Sequence, residues 1–321
     1  MNVINDITRI QVGTYAQILK GGGVVAFPTE TVYGLGASAV NPAAVLRVFE
    51  LKGRPADNPL IVHVSTYAML VEFAAEIPAN SRILMQKFWP GPLTLVFEKR
   101  KEVLDMITGG LSSVAIRMPN HEMALALIDA SGPLVAPSAN VSGRPSPTKA
   151  EHVQDDFASS VPVLDGGDCS VGLESTVLDV RSEPFRILRP GSITAQMIKD
   201  RTGLDVVESD IMPSEDMQPL SPGMKYTHYA PDTPIRWMKS DEIIDETVLY
   251  LVLNSSELPA GAKNVIDFKG DMNRLGKELY DWFRRSDKTS YNEVAIQPFG
   301  ATEKNDLAKA LNNRISKAIK K

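Results

Sequence analysis

The chain has 321 residues and a mass of 35.0 kDa, which predicts two domains or one large one, because domains commonly hold about 100–200 residues. Hydrophobic residues make up 43% and charged residues 23%, so a full-sized core is available and wholesale disorder is excluded. The net charge of −5 argues against a protein that mainly coats nucleic acid or an anionic membrane, and it leaves room for a local basic pocket.

The cysteine content and the length of the apolar runs exclude several further classes of protein. Cys169 is the one cysteine, so disulfides within the chain and cysteine-rich zinc sites are excluded. The first residues include an acid, Asp6, and no basic region followed by a long apolar run. We therefore expect neither a signal peptide nor a transit peptide. No apolar stretch approaches the ~18 residues that span a bilayer. The expectation is a cytoplasmic protein without a membrane segment.

Residues 1–207 alternate short apolar strands with helical stretches. A helix is predicted from Pro42 to Leu51, with Asn41 as its N-cap and Gly53 as its stop. Seven strands are predicted, over residues 23–27, 60–64, 93–97, 114–117, 134–136, 176–180 and 185–188. Because some strands are separated by helices and others only by turns, the pattern favours a mixed α/β (α+β) domain over a regular doubly wound one.

Residues 208–234 predict a linker, since they are polar, acidic and rich in proline. Within them, SPGMKYTHYAP (221–231) carries Tyr, His, Met and Lys. One interpretation is a stiff connector packed on a domain surface; the other is a strap that folds over a site and shields it from water. Residues 235–321 then read as strand, strand, helix, strand, helix, which predicts a small Rossmann-like α/β domain. No Gly-rich fingerprint follows its first strand, so no nucleotide site is expected there.

Cationic side chains stand in the loops and strand ends of the first domain. Lys52 and Arg54 lie two residues apart in KGRPADNPL (52–60), so in an extended segment they point the same way and form a phosphate or carboxylate clamp. A solvated basic loop is the alternative. Arg117 and Arg189 each end a strand. His63, on the strand after the basic loop, reads either as a core residue or as a ligand.

The segment APSANVSGRPSPT (136–148) runs from a buried strand into hydroxyls, an amide and Arg144, which suits phosphate oxygens, although serine-rich loops are also ordinary turns. Together these loops favour a polyanionic small ligand such as a nucleoside triphosphate. The chain has no G-x-x-x-x-G-K-[ST], no H-E-x-x-H and no G-x-S-x-G, so P-loop, zincin and nucleophile-elbow chemistry are not predicted. Nothing marks Cys169 as an activated nucleophile.

As an ordered set, these motifs resemble the YrdC family, in its long form with an added C-terminal domain. The matching segments are FPTETVYGLG (27–36), KGRPADNPL, FWPGPLTLVF (88–97), VAIRMP (114–119), APSANVSGRPSPT, ESTVLD (174–179), ILRPG (187–191) and SPGMKYTHYAP. The resemblance implies a YrdC-like catalytic domain (1–207) with a twisted mixed sheet and a concave, positively charged cavity, a linker strap (208–234) and a Rossmann-like domain (235–321).

The resemblance also implies an activity. L-threonine, bicarbonate or CO2, and ATP would give threonylcarbamoyl-AMP and pyrophosphate, which makes the chain a nucleotidyltransferase. The adenylate would pass to a transfer RNA threonylcarbamoyl-transfer complex, with no strong direct binding of transfer RNA. Mg²⁺ would accompany ATP without a dedicated site, because no carboxylate cage is visible.

Site residues follow from the matched motifs. The resemblance assigns threonine to Thr31, His63, Arg117, Ala136 and Ser175, with Arg117 as a bidentate fork for the carboxylate. It assigns the nucleotide to Lys52, Arg54, Asn58, Ser113, Ser138, Asn140, Ser146, Arg189 and Tyr226. Lys52 and Arg54 would be the catalytic pair, because they neutralise charge that develops on the phosphates. Two rivals stay open: a double-stranded RNA-binding module without catalysis, and a carbamoyl-transfer domain of the hydrogenase-maturation type that uses carbamoyl phosphate.

Overall fold

A computed structural model describes residues 6–208, 219, 221, 229–239, 243–255, 263–300 and 307–319. These residues form two units, each with its own sheet. The N-terminal unit covers residues 6–208, and the C-terminal unit begins at 229. None of the helices in this described part of the chain combines the length and apolar character needed to traverse a lipid bilayer.

Nine strands of the N-terminal unit form one mixed sheet. They are β1 (Val25–Phe27), β2 (Gly34–Ser38), β3 (Ile61–His63), β4 (Leu93–Glu98), β5 (Ser113–Arg117), β6 (Leu134–Val135), β7 (Thr176–Asp179), β8 (Phe185–Arg189) and β9 (Val206–Glu208). Their order is β1-β2-β6-β3-β5-β4-β7-β8-β9. β3–β5, β4–β7 and β8–β9 are parallel and the other neighbours antiparallel, which confirms the predicted mixed sheet.

Eight helices of this unit cover the sheet. They are α1 (Asp6–Lys20), α2 (Pro42–Lys52), α3 (Tyr67–Leu70), α4 (Ala79–Phe88), α5 (Asp105–Thr108), α6 (Glu122–Ser131), α7 (Ala150–Phe157) and α8 (Ala195–Thr202), with a 3₁₀ turn at Ala158–Ser160. α2 begins as predicted, because the Asn41 side chain accepts from the N–H groups of Ala43 and Ala44. It ends at Gly53, whose φ of 58° is left-handed. Lys52 is thereby fixed as the last helical residue.

The seven predicted strands are present with ends shifted by one or two residues, and two further strands were missed. β2 contains Gly34, Gly36 and Ser38, which read as loop residues. Glycine is required at 36 because a Cβ there would lie 2.7 Å from the ring of Phe27 on β1. The small residues thus serve close packing between adjacent strands, a need that sequence periodicity does not reveal. The other missed strand, β9, is the last in the sheet.

The C-terminal unit is a four-stranded parallel sheet with two helices. Its elements are β10 (Ile235–Trp237), β11 (Val248–Val252), β12 (Val265–Asp267), α9 (Met272–Ser286), β13 (Glu293–Ile296) and α10 (Leu307–Ile319), in the strand order β10-β13-β11-β12. β10 was missed, and the other elements match the predicted Rossmann-like arrangement. Asp271 caps the start of α9, since its side chain accepts from the N–H of Arg274.

The two units meet through buried contacts. Leu173 of the N-terminal unit belongs to the apolar cluster of the C-terminal unit. A Cβ at Gly172 would lie 2.4 Å from Cα of Lys277, so α9 lies directly against the loop before β7. Nη2 of Arg284 on α9 also lies 2.8 Å from Oδ2 of Asp156 on α7, and both side chains are almost completely buried. Helix α9 therefore packs on the loops of the large sheet.

Candidate active site

A cleft lies where strands β3, β5 and β8 and helix α2 end. Its volume is about 750 Å³, which includes open solvent at its mouth. Eleven of the fourteen predicted site residues line it. They are Thr31, Lys52, Arg54, His63, Arg117, Ala136, Ser138, Asn140, Ser146, Ser175 and Arg189. Segments far apart in sequence are therefore brought together in one cavity.

The other three predicted site residues are not among those that line the cavity. Asn58 is buried outside the described cavity wall, and its Oδ1 accepts from Nη2 of Arg54 at 2.7 Å. Ser113 begins β5 opposite Glu98. Arg117 ends that strand, so Ser113 lies about 13 Å from it at about 3.3 Å per residue. Tyr226 lies outside the described residues, as do Lys225 and His228 of the proposed strap. The structure thus makes Asn58 a support for Arg54 and does not bring Ser113 to the cavity wall.

Lys52 is buried at the end of α2, with 2% of its surface exposed. Its Nζ donates to the carbonyl oxygens of Ser138 at 2.5 Å and Asn140 at 2.6 Å. Burial, and then the neighbouring Arg54, hold the pKa of Lys52 well below its usual value. An ammonium has three donors, so one remains after the two carbonyls are served. Lys52 therefore both fastens the 136–148 loop and retains a donor.

Arg54 follows in the loop after α2. Its Nε donates to the carbonyl oxygen of Asn58 at 3.1 Å, and its Nη2 donates to Oδ1 of Asn58 and to the carbonyl oxygen of Pro59 at 2.8 Å. These contacts hold one edge of the guanidinium against its own loop. The predicted pairing of Lys52 and Arg54 in one cavity is observed, although it arises from a helix end and a turn rather than from an extended segment.

Arg117 ends β5 with 4% of its surface exposed. Its Nε donates to the carbonyl oxygen of Gly91 at 3.3 Å, its Nη1 donates to Oγ1 of Thr31 at 2.8 Å, and its Nη2 forms an ion pair with Oε2 of Glu30 at 2.7 Å. Arg117 was predicted to be a bidentate fork for a carboxylate, and each of its nitrogens has a neighbour within the protein. A buried guanidinium needs such partners because unpaired buried charge is costly.

His63 ends β3 and is 3% exposed. Its Nδ1 lies 3.2 Å from the carbonyl oxygen of Ile61, which makes Nδ1 the protonated nitrogen and leaves Nε2 as an acceptor. Burial, and then the charge of Arg117, lower the pKa of His63 to about 3. The ring is therefore neutral at ordinary pH and lines the cavity as a hydrogen-bond acceptor.

Ser175 directly precedes β7, and Arg189 ends the neighbouring strand β8; both line the cavity. The Arg189 guanidinium donates to the carbonyl oxygen of Ser175 through Nε at 3.2 Å and Nη2 at 2.9 Å, and Nη2 also donates to Oγ of Ser175 at 3.2 Å. Oγ of Ser175 also lies 2.7 Å from Oγ1 of Thr94. Complete burial lowers the pKa of Arg189. The two predicted residues are thus one hydrogen-bonded unit.

Glu174 and Tyr229 are among the cavity residues that were not assigned from the sequence. Glu174 lines the wall and is 7% exposed. Tyr229, near the end of SPGMKYTHYAP, also lines it, and its ring stacks on that of Tyr280 at a centroid distance of 5.3 Å. The backbone N–H of Ala230 donates to the carbonyl oxygen of Gly143. Glu174 belongs to ESTVLD and Tyr229 to SPGMKYTHYAP, two of the segments that match the YrdC family. The sequence therefore indicated the motifs but not the contribution of these two side chains to the cavity.

The candidate metal ligands and the candidate nucleophile, Cys169, are not among the residues that line the cavity. Glu151, His152 and Asp281 form the one group with metal-ligand spacing among the described residues. However, Nε2 of His152 lies 3.1 Å from Oδ1 of Asp281, whose other oxygen contacts Lys149 and Arg285, so the group is already compensated by cations. Burial raises the pKa of the Cys169 thiol to about 12, which leaves the thiol protonated.

Comparisons with known proteins cover nearly the whole chain. The Sua5–YciO–YrdC family model, described as telomere recombination, matches residues 17–191. A second model, described as the threonylcarbamoyl-AMP synthase C-terminal domain, matches residues 193–319.

Two curated relatives are similar over nearly their full length. A threonylcarbamoyl-AMP synthase from Pyrococcus abyssi is 39% identical, over 99% of this chain and 96% of its own. One from Bacillus subtilis is 40% identical, over 96% of this chain and 92% of its own. The crystal structure of P. abyssi Sua5 complexed with L-threonine superposes with a TM-score of 0.86 at 38% identity, over 97% of this chain and 95% of that one.

Proposed function

The chain belongs to the Sua5–YciO–YrdC family in its two-domain form, and on that premise we propose that its cleft binds L-threonine and ATP side by side. It is an enzyme that synthesises threonylcarbamoyl-AMP, and threonine is its amino-acid substrate. The observation that carries the assignment of the cleft is the convergence of eleven predicted residues on one cavity. The relatives favour this reaction over a double-stranded RNA-binding module and give no support to a carbamoyl phosphate-dependent activity.

We place threonine at the end of β3 and β5. Nε2 of His63 offers a neutral acceptor for the amine or hydroxyl, and Ser175 lines the same cavity. The threonine carboxylate would share the Arg117 guanidinium with Thr31 and Glu30, using the donors that these neighbours leave. The threonine site is thus polar, buried and built on strand ends, which gives fixed geometry.

We place the triphosphate against the end of α2 and the 136–148 loop. Lys52 would supply its remaining donor, Arg54 would supply its positive charge from the cavity wall, and Ser138 and Asn140 would supply polar groups of the 136–148 loop. Arg189 lines the same cavity from the end of β8. Charge on the phosphates would then be met by cations from separate elements of the fold.

The reaction follows from this arrangement. The threonine amine attacks CO2 and loses a proton, which gives a carbamate. A carbamate oxygen then attacks the α-phosphorus of ATP, the bond from that phosphorus to the bridging oxygen breaks, and pyrophosphate leaves. This is a nucleotidyl transfer, and no protein nucleophile is needed. Catalysis would come from positioning and from neutralising charge on the phosphates.

Mg²⁺ would enter with ATP. Of the described residues that line the cavity, Glu174 is the one carboxylate, and both of its oxygens already accept hydrogen bonds from Ser146, Tyr280 and Arg314. The cavity therefore fits a cation held mainly by phosphate oxygens and water, as Mg²⁺ often is.

We propose that the strap (221–231) closes over the cavity. Its support is the position of Tyr229, which lines the cavity while the following residue is tied to Gly143. The adenylate is a mixed anhydride, so excluding water would prevent its hydrolysis. We further propose that the product passes, in the cytoplasm, to a complex that transfers the threonylcarbamoyl group to adenosine in transfer RNA.

The test is pyrophosphate release from ATP with threonine and bicarbonate both present, each omitted in turn, and with the intact adenylate quantified in parallel. Release that requires both co-substrates supports the proposal. Release without threonine, or tight RNA binding with a steep salt dependence and no turnover, would overturn it. For the strap, a Gly/Ser replacement of residues 225–229 of equal length should lower the yield of intact adenylate relative to pyrophosphate.

A further inference from the structure

Two buried side chains of the C-terminal unit reach the cavity wall. Nε of Arg314 on α10 donates to Oε2 of Glu174 at 2.9 Å, and the hydroxyl of Tyr280 on α9 donates to the same oxygen at 3.1 Å. Arg314 and Tyr280 are both fully buried. The other oxygen, Oε1, accepts from Oγ of Ser146 at 2.6 Å. One carboxylate therefore joins a predicted nucleotide-binding serine to the second unit.

The position of Glu174 makes this carboxylate important for the cavity. Glu174 directly precedes Ser175, whose carbonyl and hydroxyl oxygens accept from the Arg189 guanidinium. Its loop is also fastened to the threonine side, because the N–H groups of Val171 and Gly172 donate to the carbonyl oxygens of Glu30 and Thr31. A shift of the Glu174 side chain would therefore disturb both halves of the proposed site.

The charge of Glu174 is unfavourable for the proposed ligand unless it is neutralised. A carboxylate in the wall of a cavity repels a triphosphate, and the low dielectric of the site strengthens that repulsion. Burial alone would raise the pKa of Glu174, but the charges of Arg314 and then Arg189 hold the pKa below its usual value, so the group is ionised. Arg314 is the cation in direct contact with it.

We propose that Arg314 is a positioning residue for the synthesis reaction: by neutralising Glu174 from outside the cavity, it leaves Arg189 on Ser175 and makes the wall compatible with a triphosphate. The inference rests on the proposed function, because it takes ATP as the occupant of the cavity. Without Arg314, the Glu174 carboxylate either faces ATP unpaired or draws Arg189 away from Ser175. Tyr280 completes the arrangement as a second donor.

The test compares Arg314→Met, Glu174→Gln and the double variant with wild type, in the full-length protein. Mg-ATP binding is measured by calorimetry, and initial rates give KM for ATP and for threonine. Arg314→Met should weaken Mg-ATP binding at least tenfold, with a change in the threonine KM below threefold. The double variant should bind Mg-ATP within threefold of Glu174→Gln, because a neutral glutamine no longer needs a cation. The control, Arg274→Met, removes an exposed arginine that pairs with Glu278 within α9 and should change neither constant.

A purely structural role for Arg314 predicts a different pattern. Loss of packing would persist in the double variant, and such persistence would overturn the inference, as would wild-type Mg-ATP affinity in Arg314→Met. Arg314→Lys is the second variant in case Arg314→Met does not fold: it keeps the charge, so affinity within threefold of wild type is expected, and a tenfold loss would contradict the charge argument. Wild-type protein that binds Mg-ATP but makes no adenylate would refute the proposed function and leave the binding comparison decisive for Arg314.

Discussion

Replacing His63 by glutamine should make the protein less sensitive to mild acid. His63 is buried, and burial followed by the charge of Arg117 lowers its pKa from 6.5 to about 3. The unfolded chain takes up a proton below pH 6.5 that the folded protein does not accept, so the folded pKa is the lower of the two. The stability that depends on a neutral His63 is therefore full above pH 6.5 and is lost as the pH falls towards 3.

Between pH 7 and pH 5, linkage gives a loss of about 2 kcal/mol from this one residue, and the figure barely changes for any folded pKa below about 4. The measurement is the free energy of unfolding in urea at both pH values, for wild type and His63→Gln. The wild type should lose about 2 kcal/mol more than the variant, since the other titrating groups cancel in the comparison. An equal loss in both proteins would show that the His63 ring can be protonated in the folded state, and would refute the buried acceptor.

Four further substitutions test the cavity and the contact between units. Lys52→Ala and Arg54→Ala should each cost on the order of 2–4 kcal/mol in transition-state stabilisation, and near-wild-type kcat/KM in both would contradict the phosphate clamp. Arg117→Lys should raise the threonine KM more than the ATP KM, because a point charge cannot replace the several contacts of the guanidinium; equal damage would move Arg117 to another role. Arg284→Met removes the buried cation that lies 2.8 Å from the Asp156 carboxylate and leaves Arg144 at 3.3 Å, so it should cost about 3 kcal/mol of unfolding free energy by denaturant titration, which an unchanged midpoint would refute.

The sequence located the cleft because its residues stand at strand ends. A strand such as β5 is predicted from its consecutive β-branched and apolar residues. The charged residue that ends it, Arg117, is then identified as a candidate site residue. The same holds for Arg189 at the end of β8, whereas His63 at the end of β3 was assigned through the family resemblance. Strand ends of one sheet lie close together, so side chains that are remote in sequence could be assigned to one cavity before their contacts were known.

Other features could not be read from the sequence, because they depend on partners far along the chain. Glu174 was visible only as a motif residue, since its partner Arg314 lies on the last helix and carries no local signal of burial. The ion pair of Arg117 with Glu30 was not predicted, because nothing near Arg117 in sequence indicates that Glu30 faces it. The role of Asn58 as a support for Arg54 likewise depends on a turn geometry that spacing alone does not fix.

The cleft also explains how a chain with a net charge of −5 can take a polyanionic ligand. Lys52, Arg54, Arg117, Arg144 and Arg189 all line the cavity. Two of these cations are offset by carboxylates, at Glu30 and Asp156, and the Glu174 charge is met by a sixth cation from α10. Charges more than about 8 Å away are largely screened at physiological salt, so the local excess of cations decides what enters, and the acidic remainder of the surface does not. Removing a single cavity cation should therefore weaken Mg-ATP binding far more than removing an exposed arginine such as Arg274.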